Sequence, residues 1–244
     1  MDTLYITGAG VSAESGIPTF RGEDGFWTIG SKNYTPQEMA TRAMYENNPA
    51  EFLSWYYHRF ATYRNHGPNA VHYWLADKNL ITQNIDGLDG KAGNKNYIAI
   101  HGRLDQMTLY HQQGENVSLL STPWDDIDET QLVESLFSTF NIDTTSQRPK
   151  IDASFKPYVL LFDEYYTELY RITEAQQRMR SAERIIFIGT SFSVNITQMA
   201  LDIAMKKKTP IEIVDPNAIM IPYGGVTYHR MTASEYIRKI DDES

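Results

Sequence analysis

The chain has 244 residues, with 22 Lys+Arg against 31 Asp+Glu, a net charge of −9 and no cysteine. That length fits one large domain, or a main domain with a smaller one inserted, and it can bury a core without disulfides. The acidic balance argues against nucleic acid or an anionic membrane as partner, and the missing cysteine excludes disulfides, thiolate zinc sites and cysteine nucleophiles.

In chain order, Leu4–Thr7 reads as a buried strand and runs straight into a glycine-rich turn at Gly8-Ala9-Gly10. Residues 27–67 are aromatic-rich and helical in pattern, with Pro36 and Pro49 at expected helix starts. Pro68–Lys78 is an amphipathic helix, followed by strands at Leu80–Thr82 and Tyr97–Ile100. Residues 104–156 have no strand–helix rhythm and are too long for a simple connection. Then come a strand at Tyr158–Phe162, a helix at Tyr165–Arg180, a strand at Ile185–Ile188, a helix at Ser193–Lys207 and a strand at Ile211–Val214. The basic runs Lys206–Lys208 and Arg178 with Arg180 read as solvated helix ends.

Alternating strands and helices predict an α/β protein, a Rossmann-like parallel sheet with helices on both faces. The expected main domain is 1–26, 68–103 and 157–244. A smaller lobe of two insertions, 27–67 and 104–156, is expected beside it, with the ligand in a cleft between them. No apolar run is long enough to span a bilayer. The chain opens on a strand rather than a secretory leader, so the expectation is cytoplasmic. Oligomeric state is not legible.

The turn "GAGVSAESGIP" places Gly8 and Gly10 between a strand and a helix, where a backbone can approach a pyrophosphate. Ala13 stands at the third position of the dinucleotide fingerprint, but no acidic residue follows about twenty positions on, which disfavours an ordinary dehydrogenase. By the turn alone, a structural corner and a phosphate site are equally good readings. The loop after it ends in Phe20 and Arg21, a ring that can shield a reactive centre and a guanidinium suited to phosphate oxygens.

Four ordered blocks resemble the sirtuin family of NAD-dependent protein deacylases: "GAGVSAESGIPTFRGEDGFW", then "TQNIDGLD" with "HG" at His101–Gly102, then "KPYVLLFDE", then "IGTSFSV" with "EIVDPN". The resemblance implies NAD as cosubstrate and an acylated-lysine protein as partner, with the main domain binding NAD. It implies that Gly8, Ala9, Gly10, Ala13 and Glu14 line the adenosine and pyrophosphate end. Phe20 and Arg21 would sit over the nicotinamide ribose and phosphates. Gln83, Asn84 and Asp86 would hold ribose and carboxamide, Asn84 and Asp86 taking part in catalysis. His101 would be the general base. Gly189, Thr190 and Ser191 would hold phosphate and ribose, with Asp215 near the adenine ribose. Val159, Leu160, Phe162, Asp163 and Glu164 would receive the acylated peptide.

The chemistry asks for these residue types independently. A ribosyl cation needs a dry pocket with aligned polar groups, and an amide oxygen is a weak nucleophile that must be positioned. A histidine of near-neutral pKa can take a proton from a ribose hydroxyl. Read without the family, a lone histidine before a glycine is more often structural than catalytic.

The sequence also departs from the family pattern. Thr19 stands where an aspartate is usual, Asp89 where a histidine is usual, Leu161 for a tryptophan and Asp163 for a glycine. The family's small lobe is usually stapled by four cysteines on zinc; here no metal is expected. Packing by Leu109, Tyr110, Leu119, Trp124, Leu132, Leu136 and Phe137 would hold the lobe instead. Tyr56 and Arg59 match a Tyr-x-x-Arg pair of sirtuins that remove acidic acyl groups, but generic aromatic helix patterning explains them too. Two other outcomes stay open at this point: ADP-ribosyl transfer or NAD hydrolysis, and a non-catalytic NAD- or ADP-ribose-binding module.

Overall fold

The computed structural model describes residues 2–19 and 34–242. They form two compact units, one of residues 2–19, 66–100 and 171–242, the other of 34–65 and 101–170. In chain order the strands are β1 (Thr3–Thr7), β2 (Asn79–Thr82), β3 (Ile98–Ala99), β4 (Gly102–Leu109), β5 (Leu119–Ser121), β6 (Phe155–Val159), β7 (Arg184–Ile188), β8 (Ile211–Val214) and β9 (Val226–His229).

The first unit is built on a six-stranded parallel sheet of order β3-β2-β1-β7-β8-β9. Its central strands are continuous runs such as "RIIFI", as sheets buried on both faces require. The register aligns Tyr5 with Leu80 and with Ile186. On that face they pack with Val71 and Leu75, and with Ala233, Tyr236 and Ile237 of the helix Ala233–Asp242. The alternate residues Leu4, Ile6, Ile81, Ile185 and Phe187 point to the other face and are fully buried. From β1 the chain steps outward to β2 and β3, then crosses back to β7 and steps the other way. Right-handed crossovers of opposite direction put the connecting helices on opposite faces. Among the described residues no helix is long and apolar enough to cross a membrane.

The second unit carries a three-stranded antiparallel sheet of order β5-β4-β6 and the helices Pro36–Met39, Arg42–Asn47, Pro49–Tyr63 and Leu132–Thr139. Pro36 and Pro49 both open helices, capped by Thr35 and Asn48 side chains. Trp124 is the centre of its core. Its ring stacks on Phe60 at 5.7 Å, meets Phe140 at 5.3 Å, and its Nε1–H donates to Leu104 O at 2.7 Å. Tyr110, Leu136 and Phe137 are buried as expected; Leu109 and Leu132 are only half-buried, and Leu119 is exposed on the short strand β5.

Two expectations need correction. The strand anticipated at Tyr158–Phe162 spans Phe155–Val159 and pairs antiparallel with β4, not within the parallel sheet. For the same reason residues 101–103 and 157–170 cluster with the second unit, so the division falls elsewhere than 104–156. An apolar run reveals burial but not its pairing partner. Strands β4 and β9 mix polar and apolar residues and β5 has only three, so none stands out in the sequence; β4 also shifts register between Arg103 and Met107.

Candidate active site

Strand order reverses between β1 and β7, and open α/β sheets bind ligands beyond the carboxyl ends of strands at such a point. Here those two strand ends touch. Gly8 N–H donates to Ile188 O at 3.0 Å and Gly10 N–H to Gly189 O at 2.9 Å. A Cβ on Gly10 would lie 2.6 Å from Gly189 Cα, and Gly189 sits at φ +62°. Backbone meets backbone at this crossing, so no side chain fits. The crossing thus keeps side chains out of the switch point, so a dinucleotide's pyrophosphate can approach the main chain closely.

The stretch after β2 is tied to this turn. Gln83 Nε2 donates to Thr7 O at 3.0 Å and to Thr190 Oγ1 at 3.1 Å. Asn84 Nδ2 donates to Gly8 O at 3.0 Å and to Ser12 Oγ at 3.1 Å. The Ser12 hydroxyl donates in turn to Asp86 Oδ2 at 2.6 Å, while Asp86 Oδ1 accepts from Leu88 N–H at 2.9 Å. Both amide hydrogens of Asn84 are engaged, which fixes its orientation. Ser12 is therefore the hub of the network. Its position in the glycine-rich turn hinted at a polar role, but its partners lie more than seventy residues away and only the fold joins them.

Asp89 lies just beyond, 2 % exposed, with Oδ1 unpartnered among the described residues. Burial, and then the nearby Asp86 carboxylate, push its carboxyl up to about 7. His72 is fully buried; burial holds its imidazole below the ordinary value while Asp86 opposes the shift.

The remaining expected positions of this unit are more open. Ala9 is half-buried; Ala13 and Glu14 are exposed, and the Glu14 carboxylate accepts from the Ser234 N–H (3.3 Å) and hydroxyl. Ser191 and Ser193 hydroxyls lie 2.7 Å apart, and Asp215 Oδ1 accepts from Asn217 N–H at 2.8 Å. Phe20 and Arg21 lie outside the described residues.

In the second unit His101 precedes Gly102, whose φ of +81° and contact with Tyr158 O leave no room for a Cβ. The His101 carbonyl accepts from Leu160 N–H at 2.9 Å. Its Nε2 lies 2.9 Å from the Tyr166 hydroxyl, the two rings inclined by 23°. Tyr166 carries no sequence signal, being 65 positions from His101.

The segment after β6 is held on both sides. Phe162 N–H donates to Ala40 O at 2.9 Å. Asp163 covers the first turn of the helix Arg42–Asn47: Oδ1 accepts from Arg42 N–H at 2.6 Å and Oδ2 from Ala43 N–H at 3.1 Å. Thr41 takes the third amide, from Met44. Glu164 joins Arg42 at 3.3 Å to Lys156 at 3.4 Å and accepts from Leu161 N–H. Burial lowers the Lys156 ammonium's pKa, and Glu164 opposes the shift. The carboxylate standing where the family has glycine therefore has a local structural use. Val159 is buried, Leu160 half-buried and Phe162 exposed.

Tyr56 and Arg59 are both fully buried within the helix Pro49–Tyr63. The Arg59 guanidinium covers the Trp55 ring and donates to Trp55 O at 3.0 Å; burial pulls its pKa down to about 9. The Tyr56 hydroxyl has no hydrogen-bond partner among the described residues.

Sheet order and glycine crossing together define a Rossmann-like nucleotide-binding protein with a second, antiparallel unit. The chain belongs to the Sir2 family, whose profile matches residues 8–196. It is 31 % identical to NAD-dependent protein deacylase 1 of Caldanaerobacter subterraneus subsp. tengcongensis, over 99 % of this chain and 93 % of that protein. It is 34 % identical to the NAD-dependent protein deacetylase of Saccharolobus solfataricus, over 79 % and 71 %. The solved complex of a Sir2 homologue with NAD has a TM-score of 0.74 at 27 % identity, covering 99 % of this chain and 88 % of that one.

Proposed function

We propose that the protein uses NAD to remove acyl groups from lysine side chains of proteins, releasing nicotinamide and O-acyl-ADP-ribose. The observation that carries this reading is the network fixing Asn84 and Asp86 beside the bare glycine turn. Simple nucleotide binding has no need of it.

NAD supplies a glycosidic bond to a good leaving group. Gly8 and Gly10, with Gly189, Thr190 and Ser191, bind its phosphates and ribose, while Ala9, Ala13, Glu14 and Asp215 lie along the adenosine end. Phe20 and Arg21 belong to the same cofactor-binding set. Gln83, Asn84 and Asp86 orient ribose and carboxamide, their geometry set before the substrate arrives. Val159, Leu160, Phe162, Asp163 and Glu164 receive the acylated peptide, and His101 accepts a ribose hydroxyl proton so that the oxygen can attack the acyl carbon. The Tyr-x-x-Arg match would put Tyr56 and Arg59 at the acyl end of the substrate site, where a guanidinium suits an acidic acyl group. The full burial of both side chains, with the guanidinium on the Trp55 ring, favours a packing role instead.

We read the first unit, residues 2–19, 66–100 and 171–242, as the NAD-binding domain. The second unit is held by its aromatic core rather than by zinc, which metal analysis of the purified protein tests. We assign the protein to the cytoplasm, a compartment suited to a chain without disulfides.

The function is tested by incubating the protein with NAD and acylated-lysine peptides and following products by mass. Loss of acyl groups that disappears in His101→Ala supports it. Nicotinamide release with acyl groups retained would refute it in favour of ADP-ribosyl transfer or NAD hydrolysis. A succinyl-peptide activity unchanged in Arg59→Met would remove the acidic-acyl assignment.

A further inference from the structure

The second unit places a phenol on the very nitrogen that the proposed chemistry needs. Tyr166 Oη lies 2.9 Å from His101 Nε2, within hydrogen-bond distance, and the rings are nearly parallel with centroids 5.9 Å apart. A neutral imidazole nitrogen has one lone pair, in the ring plane. While Tyr166 donates to it, no other hydroxyl can.

Tyr166 is not a side chain free to drift away. Upstream, Asp163 and Glu164 anchor its segment to Arg42, Ala43 and Lys156. Downstream, the Thr167 hydroxyl donates to Gln113 Oε1 at 2.9 Å and Leu169 N–H to Gln113 O at 3.0 Å. The Tyr158 hydroxyl donates to Leu169 O at 2.9 Å, and the Tyr158 and Tyr170 rings stack at 5.3 Å. The preceding Tyr165 is 86 % exposed, whereas Tyr166 is half-buried against the histidine.

From this geometry we propose that Tyr166 is a proton relay to His101: its hydroxyl hands its proton to Nε2 while its oxygen takes the proton of the substrate hydroxyl. This rests on the deacylase reading above. The electron pair released on the substrate oxygen attacks the acyl carbon, whose double-bond pair shifts onto the lysine nitrogen; the Nε2 lone pair forms the new N–H bond, and the phenol is neutral before and after. The relay requires His101 to rest as the Nδ1–H tautomer, with Tyr166 as donor.

The test is Tyr166→Phe, which removes one hydroxyl and keeps the ring; an unchanged melting temperature shows that the fold is intact. Nicotinamide leaves before any proton is taken, so exchange of labelled nicotinamide into NAD is expected to stay within about twofold of wild type. Deacylation is expected to fall about a hundredfold in kcat, the usual scale for a lost acid–base group, with KM for NAD little changed. Nitrogen-15 NMR of the imidazole, assigned with His101→Gln, gives a readout independent of turnover. The wild type is expected to show the Nδ1–H form and Tyr166→Phe to shift toward Nε2–H.

Deacylation by Tyr166→Phe equal to or faster than wild type overturns the relay. So does an Nε2–H tautomer in the wild type, which would make Tyr166 the acceptor. A wild type that neither exchanges nicotinamide nor deacylates defeats the functional reading instead, and the NMR result then judges the His101–Tyr166 pair by itself.

Discussion

Asp89 offers the sharpest test of the electrostatics beneath the glycine turn. Its carboxyl is buried near a second carboxylate, and both causes favour the neutral acid, so its pKa rises to about 7. An unfolded aspartate titrates near ~3.9. Between those values the unfolded chain has released a proton that the folded chain still holds. Stability is therefore undiminished below about pH 4, falls as the pH rises, and levels off above about pH 7. A difference of roughly three units at about 1.36 kcal/mol each sets a ceiling of about 4 kcal/mol on the loss. Asp89→Asn has nearly the same shape and no charge, so it escapes this loss. The assay is urea unfolding of both proteins near pH 5 and near pH 8. The stability of the variant relative to wild type should improve by about 2–3 kcal/mol between the two pH values. A difference that is the same at both pH values would falsify the assignment of a protonated Asp89.

Two further substitutions probe packing. Gly10→Ala drives a Cβ into the Gly189 backbone, which cannot rotate aside; it should cost about 1–3 kcal/mol, seen as a lower melting temperature, and weaken NAD binding by calorimetry. Tyr56→Phe removes a buried hydroxyl that has no partner among the described residues; the melting temperature should hold or rise, by up to about 1 kcal/mol of stability, and a clear fall would show that the hydroxyl is satisfied.

Much of the parallel sheet was legible in the residues. Runs such as Ile185–Ile188 and Ile211–Val214 are continuous and β-branched because both faces are covered, and that pattern needs no knowledge of neighbours. Pro36 and Pro49 mark helix starts by local rules alone, through a fixed φ and a missing donor. The family was readable as well, since its motifs are short stretches whose order survives in one dimension.

Tertiary structure decided what depends on partners distant along the chain. It brought Ser12 to Asn84 and Asp86, paired β6 with β4 rather than with the parallel sheet, and put Tyr166 on His101. It also gave Asp163 a use as the cap of the helix Arg42–Asn47, where the sequence alone showed only a departure from glycine. Strand propensity and motif spacing are local, so residues reveal them one stretch at a time. Hydrogen-bond partners, desolvation and the state of a buried acid such as Asp89 are set by what folding brings within a few ångströms.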